Sequence, residues 1–141
     1  MGFLDRLFGE PQYPELDPSS DTAQRLDKLG EPIKTLAHDV RDKLEVVMGD
    51  SGTFVFVGKP PKQFGLMWLE DGKLVNFKEY AEKKELSSKE LNQLIERMKA
   101  AYTRHIDEER FSTTLEDREV IVHPSGQFEH EMERIIDSVS H

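Results

Sequence analysis

Two apolar runs that meet at Asp71-Gly72 form the clearest pattern in the chain, within residues 64–77. An Asp-Gly pair suits a two-residue type I′ turn, which requires positive φ at both central positions. This turn predicts a β-hairpin with a defined register. In that register Glu70 faces Lys73, Leu69 faces Leu74, Trp68 faces Val75, Met67 faces Asn76 and Leu66 faces Phe77. One face then carries Phe64, Leu66, Trp68, Val75 and Phe77, and the other carries Gly65, Met67, Leu69, Leu74 and Asn76. The second face is too apolar for a solvated surface and too interrupted for an ordinary core.

Two more stretches predict strands. Residues 53–58, TFVFVG, form a short β-branched and aromatic run that is apolar on both faces, which is typical of a central strand. Residues 111–123, FSTTLEDREVIVH, predict a second hairpin that turns near Glu116-Asp117. Val120 and Val122 of this hairpin share one face, and Ile121 lies on the other.

Helical spacing predicts three main helices. In the first, Pro32 interrupts the apolar stripe, so we expect a kink or two abutting helices. The second begins at Ser87, because Glu90 completes a capping box with it. The third is a C-terminal amphipathic helix capped by Ser125 or Gly126. The stripes are Leu26, Leu29, Ile33, Leu36, Val40, Leu44 and Val47; then Leu91, Leu94, Ile95, Met98, Ala101, Tyr102 and Ile106; then Phe128, Met132, Ile135, Ile136 and Val139.

The element order α-β-β-β-α-β-β-α predicts an α+β fold. We expect a single antiparallel sheet of four to five strands, with the three main helices packed on one or both faces. Residues 21–141 are predicted to form one domain, and residues 1–20 an N-terminal amphipathic segment with a proline-rich linker. If helices cover both faces, Met67, Leu69 and Leu74 lie under the first or last helix. Otherwise their face is a docking surface for a second copy, a peptide or a small ligand.

The N-terminal segment, MGFLDRLFG, is a second candidate interaction element. Its large apolar side chains fall on one helical face, opposite a pair of charges that cancel. Such a segment can dock on its own domain or stay loose, or it can bind in the groove of a protein partner or weakly on a membrane surface. The four side chains concerned are Phe3, Leu4, Leu7 and Phe8.

Composition narrows the classes of function. The chain has 28 acidic and 19 basic residues, a formal charge of −9, and no basic cluster, which argues against nucleic-acid binding. The absence of cysteine excludes disulfides, thiolate catalysis and cysteine metal sites. No apolar stretch approaches the length of about 18 residues that spans a membrane, and no signal peptide is evident. We therefore expect a cytoplasmic protein.

Candidate chemistry is sparse. His38 with Asp42, and His105 with Glu109, are spaced four apart on predicted helices, but each is a single pair without matching ligands from another element. There is no phosphate loop, dinucleotide fingerprint, nucleophile elbow or HExxH motif. We therefore predict no metal site, no cofactor and no catalytic residue, and the sequence leans away from an enzyme.

These patterns favour a non-enzymatic cytoplasmic protein-interaction domain, an adaptor or chaperone-like protein. It would bind a protein partner, or a second copy of itself, through the apolar sheet face, the N-terminal segment or both. The alternative is a small-ligand-binding or catalytic domain with a pocket between sheet and helices. The element order, small size and acidity resemble those of class I type III secretion chaperones, a resemblance of architecture without a shared motif. It implies a dimeric α/β protein that binds an extended segment of its partner along its sides.

Overall fold

The computed structural model describes residues 13–139, and it places one sheet between two layers of helices. Within those residues there are five helices and six strands. The helices are α1 (Asp21–Lys28), α2 (Glu31–Asp39), α3 (Phe77–Lys83), α4 (Ser88–Arg104) and α5 (Gly126–Asp137). The strands are β1 (Leu44–Met48), β2 (Thr53–Lys59), β3 (Gln63–Glu70), β4 (Lys73–Asn76), β5 (Phe111–Leu115) and β6 (Arg118–Pro124).

The sheet is mixed. Its strand order is β4-β3-β2-β1-β6-β5, and every neighbouring pair is antiparallel except β1 and β6, which are parallel. The predicted α+β class with a single sheet is therefore confirmed. The expected four to five strands, three helices and wholly antiparallel arrangement are wrong. The sequence did not predict β1, which adds a sixth strand and pairs parallel with β6. It also did not predict the short helix α3, and the first predicted helix is divided into α1 and α2.

The missing strand is β1. Leu44 and Val47 were expected on the first helix, but α2 ends at Asp39 and Val40 is already extended, with φ −103° and ψ 128°. All five β1 residues are buried, so both faces of the strand are apolar or paired. Leu44 and Val47 are three residues apart, so they lie on opposite faces of β1. Because both faces are buried, both residues are apolar, and their spacing resembles that of an apolar stripe on a helix.

The break near Pro32 separates two helices, which is one of the two outcomes that the sequence predicted; the other was a kink. Gly30 lies between α1 and α2 with φ +72°, a backbone conformation that suits glycine, and Pro32 lies in the first turn of α2. Ser20 begins α1 by accepting a hydrogen bond from the Ala23 amide at 3.1 Å. The chain can therefore change direction between the two helices while both pack on the same face of the sheet.

The unpredicted helix α3 follows the first hairpin directly. Asn76 ends β4, and its side chain accepts a hydrogen bond from the Lys78 amide at 2.8 Å, which caps the new helix. Phe77 is thus the first residue of α3 and does not continue the ladder opposite Leu66. The rest of the predicted register, from Met67 opposite Asn76 to the Asp71-Gly72 turn, is confirmed.

The predicted turns and helix caps are confirmed, but Ile106 was wrongly placed on the buried stripe of α4, because the helix ends at Arg104 and 39% of the Ile106 surface is exposed. Both hairpins turn through two residues of positive φ: 53° and 78° at the Asp71-Gly72 turn, and 50° and 62° at the Glu116-Asp117 turn. Ser87 and Glu90 form both hydrogen bonds of the capping box, each at 3.1 Å. Ser125 caps α5 by accepting from the Phe128 amide at 3.1 Å.

Each face of the sheet has its own core. The face under α4 and α5 is aromatic: the Phe56 ring lies 5.3 Å from Phe64, 5.3 Å from Tyr102 and 5.6 Å from Phe128 between centroids. The face under α1 and α2 is aliphatic. Its fully buried members include Val46, Val55, Val120 and Val122, with Ile33 and Ala37 above them. No helix in residues 13–139 is long and apolar enough to cross a membrane.

Part of the predicted linker lies along the edge of the sheet. Ser112 of β5 donates its amide to the Pro14 carbonyl at 2.9 Å and accepts from the Leu16 amide at 2.8 Å. Leu16 is buried, with 5% of its surface exposed, and belongs to the aliphatic core. These contacts cover part of the outer edge of β5, which would otherwise present unpaired backbone groups.

Candidate functional site

A groove on the aliphatic side of the sheet separates α2 from the β3–β4 hairpin. It encloses about 670 Å³, and two of the three predicted sheet-face interaction residues, Met67 and Leu74, line it. Leu36, Val40 and Pro32 of the α2 region complete its apolar surface. We refer to this feature as the α2–hairpin groove.

The hairpin side chains in and beside the groove are less buried than the centre of their face. Met67, Leu69 and Leu74 are half-buried and pack against the margin of the aliphatic core. By contrast, Val46 and Val55, on the neighbouring strands β1 and β2, have no exposed surface. The face is therefore closed at the centre of the sheet and open near its β4 edge, an outcome between the two that the sequence left open.

Two anchors hold α2 where it forms one wall of the groove. On the inner side of the helix, Ile33 and Ala37 are almost completely buried in the aliphatic core. At the end of the helix, the Arg118 guanidinium donates to the carbonyls of Ala37 at 3.1 Å and Asp42 at 2.6 Å. The wall is therefore fixed by packing and hydrogen bonds outside the groove, which leaves its apolar lining free for contacts.

The rim of the groove is mainly acidic. Glu31 and Asp39 of α2 and Glu79 of α3 are exposed along it, against a single exposed cation, Lys73, among its lining residues. The remaining polar positions are short or amide side chains. The groove thus combines an apolar floor with a negative border, in a chain whose formal charge is −9.

The N-terminal candidates Phe3, Leu4, Leu7 and Phe8 lie outside the residues that the structure describes, and their predicted role stays a prediction.

The two candidate histidines contact other carboxylates than the ones their spacing indicated. His38 is exposed and contacts the Asp39 carboxylate at 3.1 Å. His105 contacts Glu108 and Glu131 instead of Glu109. Within residues 13–139, no group of three or more His, Asp or Glu side chains could hold a metal ion.

Sequence reasoning missed a buried ionic network on the aromatic side of the sheet. Both ring nitrogens of His123 lie at hydrogen-bonding distance from a carboxylate: Nδ1 is 2.8 Å from Glu45 Oε2 and Nε2 is 2.9 Å from Glu108 Oε1. His105 lies in the same way between Glu108 at 3.0 Å and Glu131 at 2.9 Å. Only a doubly protonated imidazolium can donate to two carboxylates, so each ring can satisfy both neighbours when it carries a charge. Arg104 pairs with Glu131 at the exposed end of the network.

The buried end of the network is closed by Tyr102 and Arg110. The Tyr102 hydroxyl donates to Glu45 at 2.6 Å and accepts from Arg110 at 3.1 Å. Burial and the Glu45 carboxylate raise the pKa of Tyr102 far above its ordinary value, which keeps the hydroxyl protonated as a donor. The Arg110 guanidinium also lies over the Tyr13 ring, 4.7 Å from its centroid.

The pKa values of Glu108 and Glu131, the two carboxyls at the outer end of the network, are lowered. Burial raises the pKa of Glu108, but hydrogen bonds from His105, Ser125 and His123 outweigh it, and the net pKa is lowered. Burial likewise raises the pKa of Glu131, and hydrogen bonds from Arg104 and His105 bring it below its usual value. Both carboxyls therefore stay ionised to a lower pH than an ordinary glutamate does.

This network holds elements together and presents no reactive nitrogen. Each nitrogen of the two imidazole rings already faces a carboxylate oxygen, so neither ring offers a free position to a substrate. The network joins β1, β6, α5 and the turn after α4. The available signal in the sequence was a charged residue inside a buried strand: Glu45 within LEVVM, and His123 at the end of REVIVH.

Comparison with family models, with curated proteins and with solved structures gave no match. The architectural resemblance to secretion chaperones therefore has no support from a shared family or a similar fold. What this chain does must be argued from the geometry of its own surfaces.

Proposed function

We propose that this chain is a non-enzymatic protein-interaction domain, an adaptor or chaperone-like protein that binds a short segment of another protein in the α2–hairpin groove. The observation that supports this proposal is the half-burial of Met67 and Leu74, which line the groove beside the closed centre of the aliphatic core. Apolar surface left open in this way on a folded domain commonly marks an interaction site. The groove is concave and has one rigid helical wall, which suits capture of a short peptide segment.

The charge of the rim indicates the chemistry of the partner. Three exposed carboxylates, those of Glu31, Asp39 and Glu79, face one lysine around the apolar floor. A segment that presents two or three apolar side chains to the floor and lysine or arginine at its flanks complements both features. Attraction between the rim and such flanks speeds encounter and disfavours acidic segments, while the apolar contacts provide most of the affinity.

The experiment selects peptides from a displayed random library and maps where they bind. We expect selected sequences to be enriched in large apolar residues with flanking lysine or arginine. Backbone amide shifts in the NMR spectrum should then change at Leu36, Val40, Met67 and Leu74 on titration. Shift changes confined to another surface, or a library that yields no saturable binder, would contradict the proposal.

A matched pair of variants separates the groove from the general stability of the core. Leu74→Ser removes apolar surface from the groove, whereas Leu115→Ser changes a half-buried leucine that packs on the same aliphatic core from the β5 end of the sheet. We expect the first to weaken peptide binding at least about tenfold, since a buried leucine contact is worth roughly 1.5–3 kcal/mol. The second should leave the affinity unchanged. Equal losses would mean that the groove has no special part in binding.

The N-terminal segment remains a second predicted binding element of the same domain. Deletion of residues 1–10 tests it independently. A deletion that leaves the free energy of unfolding unchanged but abolishes association with a partner would assign Phe3, Leu4, Leu7 and Phe8 to binding. A deletion that destabilises the domain would assign them to packing.

A further inference from the structure

Glu129, in the first turn of α5, is a buried carboxylate whose hydrogen bonds are incomplete. Only 1% of the residue's surface is exposed. Its Oε1 accepts from the Ser51 hydroxyl at 3.2 Å and from the Ser51 amide at 3.4 Å, which are long contacts. Its Oε2 is buried and has no hydrogen-bond donor among the described residues. A buried carboxylate oxygen without a donor is costly, and its presence in a folded chain calls for an explanation.

A second carboxyl lies beside the first. Glu133, one helical turn further along α5, lies close enough to Glu129 to disfavour its charged form. Burial raises the pKa of Glu129, and Glu133 raises it further, while the hydrogen bonds from Ser51 oppose the shift only in part. The charged form of Glu129 is therefore poorly compensated and is repelled by its neighbour.

The loop between β1 and β2 approaches Glu129 closely. A Cβ atom at Gly49 would lie 2.6 Å from the Glu129 Cβ, and one at Gly52 would lie 3.2 Å from Oε2. The approach at Gly49 requires glycine, because a side chain there would collide with the Glu129 Cβ. The loop is held in place on its other side, where Arg25 of α1 donates to the Gly49 carbonyl.

Glu129 lines a cleft of about 240 Å³ between α5, α3 and the adjoining ends of β2 and β3. The charged side chains that line it are four carboxylates, and no lysine or arginine is among its lining residues. Trp68 and Tyr80 also line the cleft, packed edge to face with centroids 5.3 Å apart. The Tyr80 ring already attracts one cation of the chain, because the Lys84 ammonium lies 5.7 Å from its centroid. The four carboxylates are those of Glu70, Glu129, Glu133 and Asp137.

Negative charge beside aromatic rings is the combination that recognises organic cations. The described residues hold no cluster of three or more ligands that could bind a metal ion, so the arrangement fits a cation with N–H donors and an apolar stem. We propose that this cleft binds an alkylammonium or guanidinium group, whose N–H donors bond to Glu129 and Glu133 and whose stem packs against Trp68 and Tyr80. The ligand supplies the donor that Glu129 Oε2 lacks.

This site is separate from the α2–hairpin groove. Trp68 and Tyr80 belong to the aromatic face of the sheet, whereas Met67 and Leu74 of the groove belong to the aliphatic face. Leu69 lines this cleft and not the groove, and the two linings share no residue. The inference therefore does not rest on the proposed docking function, and either can fail without the other.

The test uses the single tryptophan of the chain as the reporter, because Trp68 lines the cleft. Tryptophan fluorescence is followed while the full chain is titrated with butylammonium or methylguanidinium chloride. Titrations with 1-butanol and with sodium chloride provide the neutral and ionic controls. We expect a saturable change with the organic cations alone. A change that never saturates, or one that 1-butanol reproduces, would overturn the proposal.

Three variants locate the binding. Glu129→Gln keeps the size of the side chain and removes its charge, and Glu133→Gln does the same for its neighbour. Each should raise the dissociation constant at least about tenfold, because it replaces a charged hydrogen bond to the ligand with a neutral one. Glu119→Gln removes one charge at an exposed position of β6 and should leave the constant unchanged. Equal affinity of all three variants would overturn the proposal, and circular dichroism checks that each is folded.

A final comparison distinguishes two sources of the cation. The peptide acetyl-Gly-Lys-Gly-amide presents the ammonium group as a protein partner would, and butylammonium presents it as a free amine. Tighter binding of the peptide supports a lysine side chain of another protein as the occupant. Binding of butylammonium that equals or exceeds that of the peptide supports a small free amine. Failure of both to compete with methylguanidinium for the cleft would contradict a shared cation site.

Discussion

Glu45 and Glu129 are both buried glutamates on the aromatic side of the sheet, and they differ in what surrounds them. Glu45 has a hydroxyl donor at 2.6 Å, an imidazole at 2.8 Å and a guanidinium at 3.7 Å. Glu129 has only the long contacts from Ser51 and a second carboxyl beside it. The first environment compensates a buried charge and the second does not. A compensated carboxylate stabilises the fold that provides its partners, whereas an uncompensated one lowers stability and is available to a ligand.

The largest expected effect lies at Glu45. Glu45→Ala removes the acceptor of the Tyr102 hydroxyl and leaves the buried Arg110 without its carboxylate, so the free energy of unfolding should fall by about 3–5 kcal/mol. Urea denaturation measures the loss. Glu119→Ala, at an exposed position, should change stability by less than about 0.5 kcal/mol. A loss at Glu45 as small as that at Glu119 would mean that the network does not compensate the charge.

The second effect concerns the loop that encloses Glu129. Gly49→Ala should cost about 1–3 kcal/mol, because the new methyl group meets the Glu129 Cβ, an atom that cannot rotate away. Gly52→Ala is the matched control in the same loop. Its methyl group meets only the terminal Oε2, which can move, so its cost should be a few tenths of a kcal/mol. Equal costs for the two variants, measured by chemical denaturation, would contradict the close enclosure at Gly49.

The third effect has the opposite sign to the first. Glu129→Gln should raise the free energy of unfolding at neutral pH by on the order of 1 kcal/mol, the scale of one unsatisfied buried polar group. The amide removes the charge and can donate to Glu133. A loss of stability would show that the Glu129 carboxylate is as well compensated as that of Glu45.

The pH dependence of that gain follows from the raised pKa of Glu129. The folded chain holds this proton more tightly than the unfolded chain, so the stability due to it is fully present below the unfolded pKa of about 4.3 and is lost as pH rises through the folded pKa. The advantage of Glu129→Gln should therefore vanish as pH falls towards about 4.3. An advantage that is constant across this range would contradict the assignment.

The smallest expected effect is the pH dependence of stability at Glu108, whose pKa is shifted in the opposite direction to that of Glu129. Its folded pKa is lowered, so the stability that it contributes is present above its unfolded pKa and is lost as pH falls through the folded value. Because 31% of its side chain is exposed, the contribution should be at most about 1 kcal/mol. Unfolding curves below about pH 4.3 should show a shallower loss for Glu108→Gln than for the unmodified chain. Parallel curves would leave Glu108 outside the stabilising network.

The sequence predicted the features that depend on neighbours in the chain. The Asp71-Gly72 and Glu116-Asp117 turns and the capping box at Ser87 each involve residues within a few positions of one another. Alternation within the first hairpin also sorted its side chains correctly onto two faces, although it did not show how far α2 would cover the second one. The β1 strand was missed because burial on both sides removes the alternation that distinguishes a strand from a helix.

The position of Glu129 in the sequence indicates that it is buried, but it does not indicate the chemistry of the buried carboxyl. It shares the inner side of α5 with Met132 and Ile136, at spacings of three and seven residues, so its burial follows from helical geometry. Its chemistry does not, because the state of a buried carboxylate depends on which donors reach it from other elements.

The sequence alone determined the α+β class, the single sheet, the turns of both hairpins, most of the register of the first hairpin and the start of the longest helix, since these follow from local turn geometry, capping and periodicity. The tertiary structure alone decided the parallel pairing of β1 with β6 and the different fates of the two buried glutamates. Glu45 meets His123, and Glu129 meets Ser51, across the same separation of 78 residues. Whether a charge that far from its neighbours finds donors is a property of packing, because desolvation and hydrogen bonding act through space and no local pattern records them.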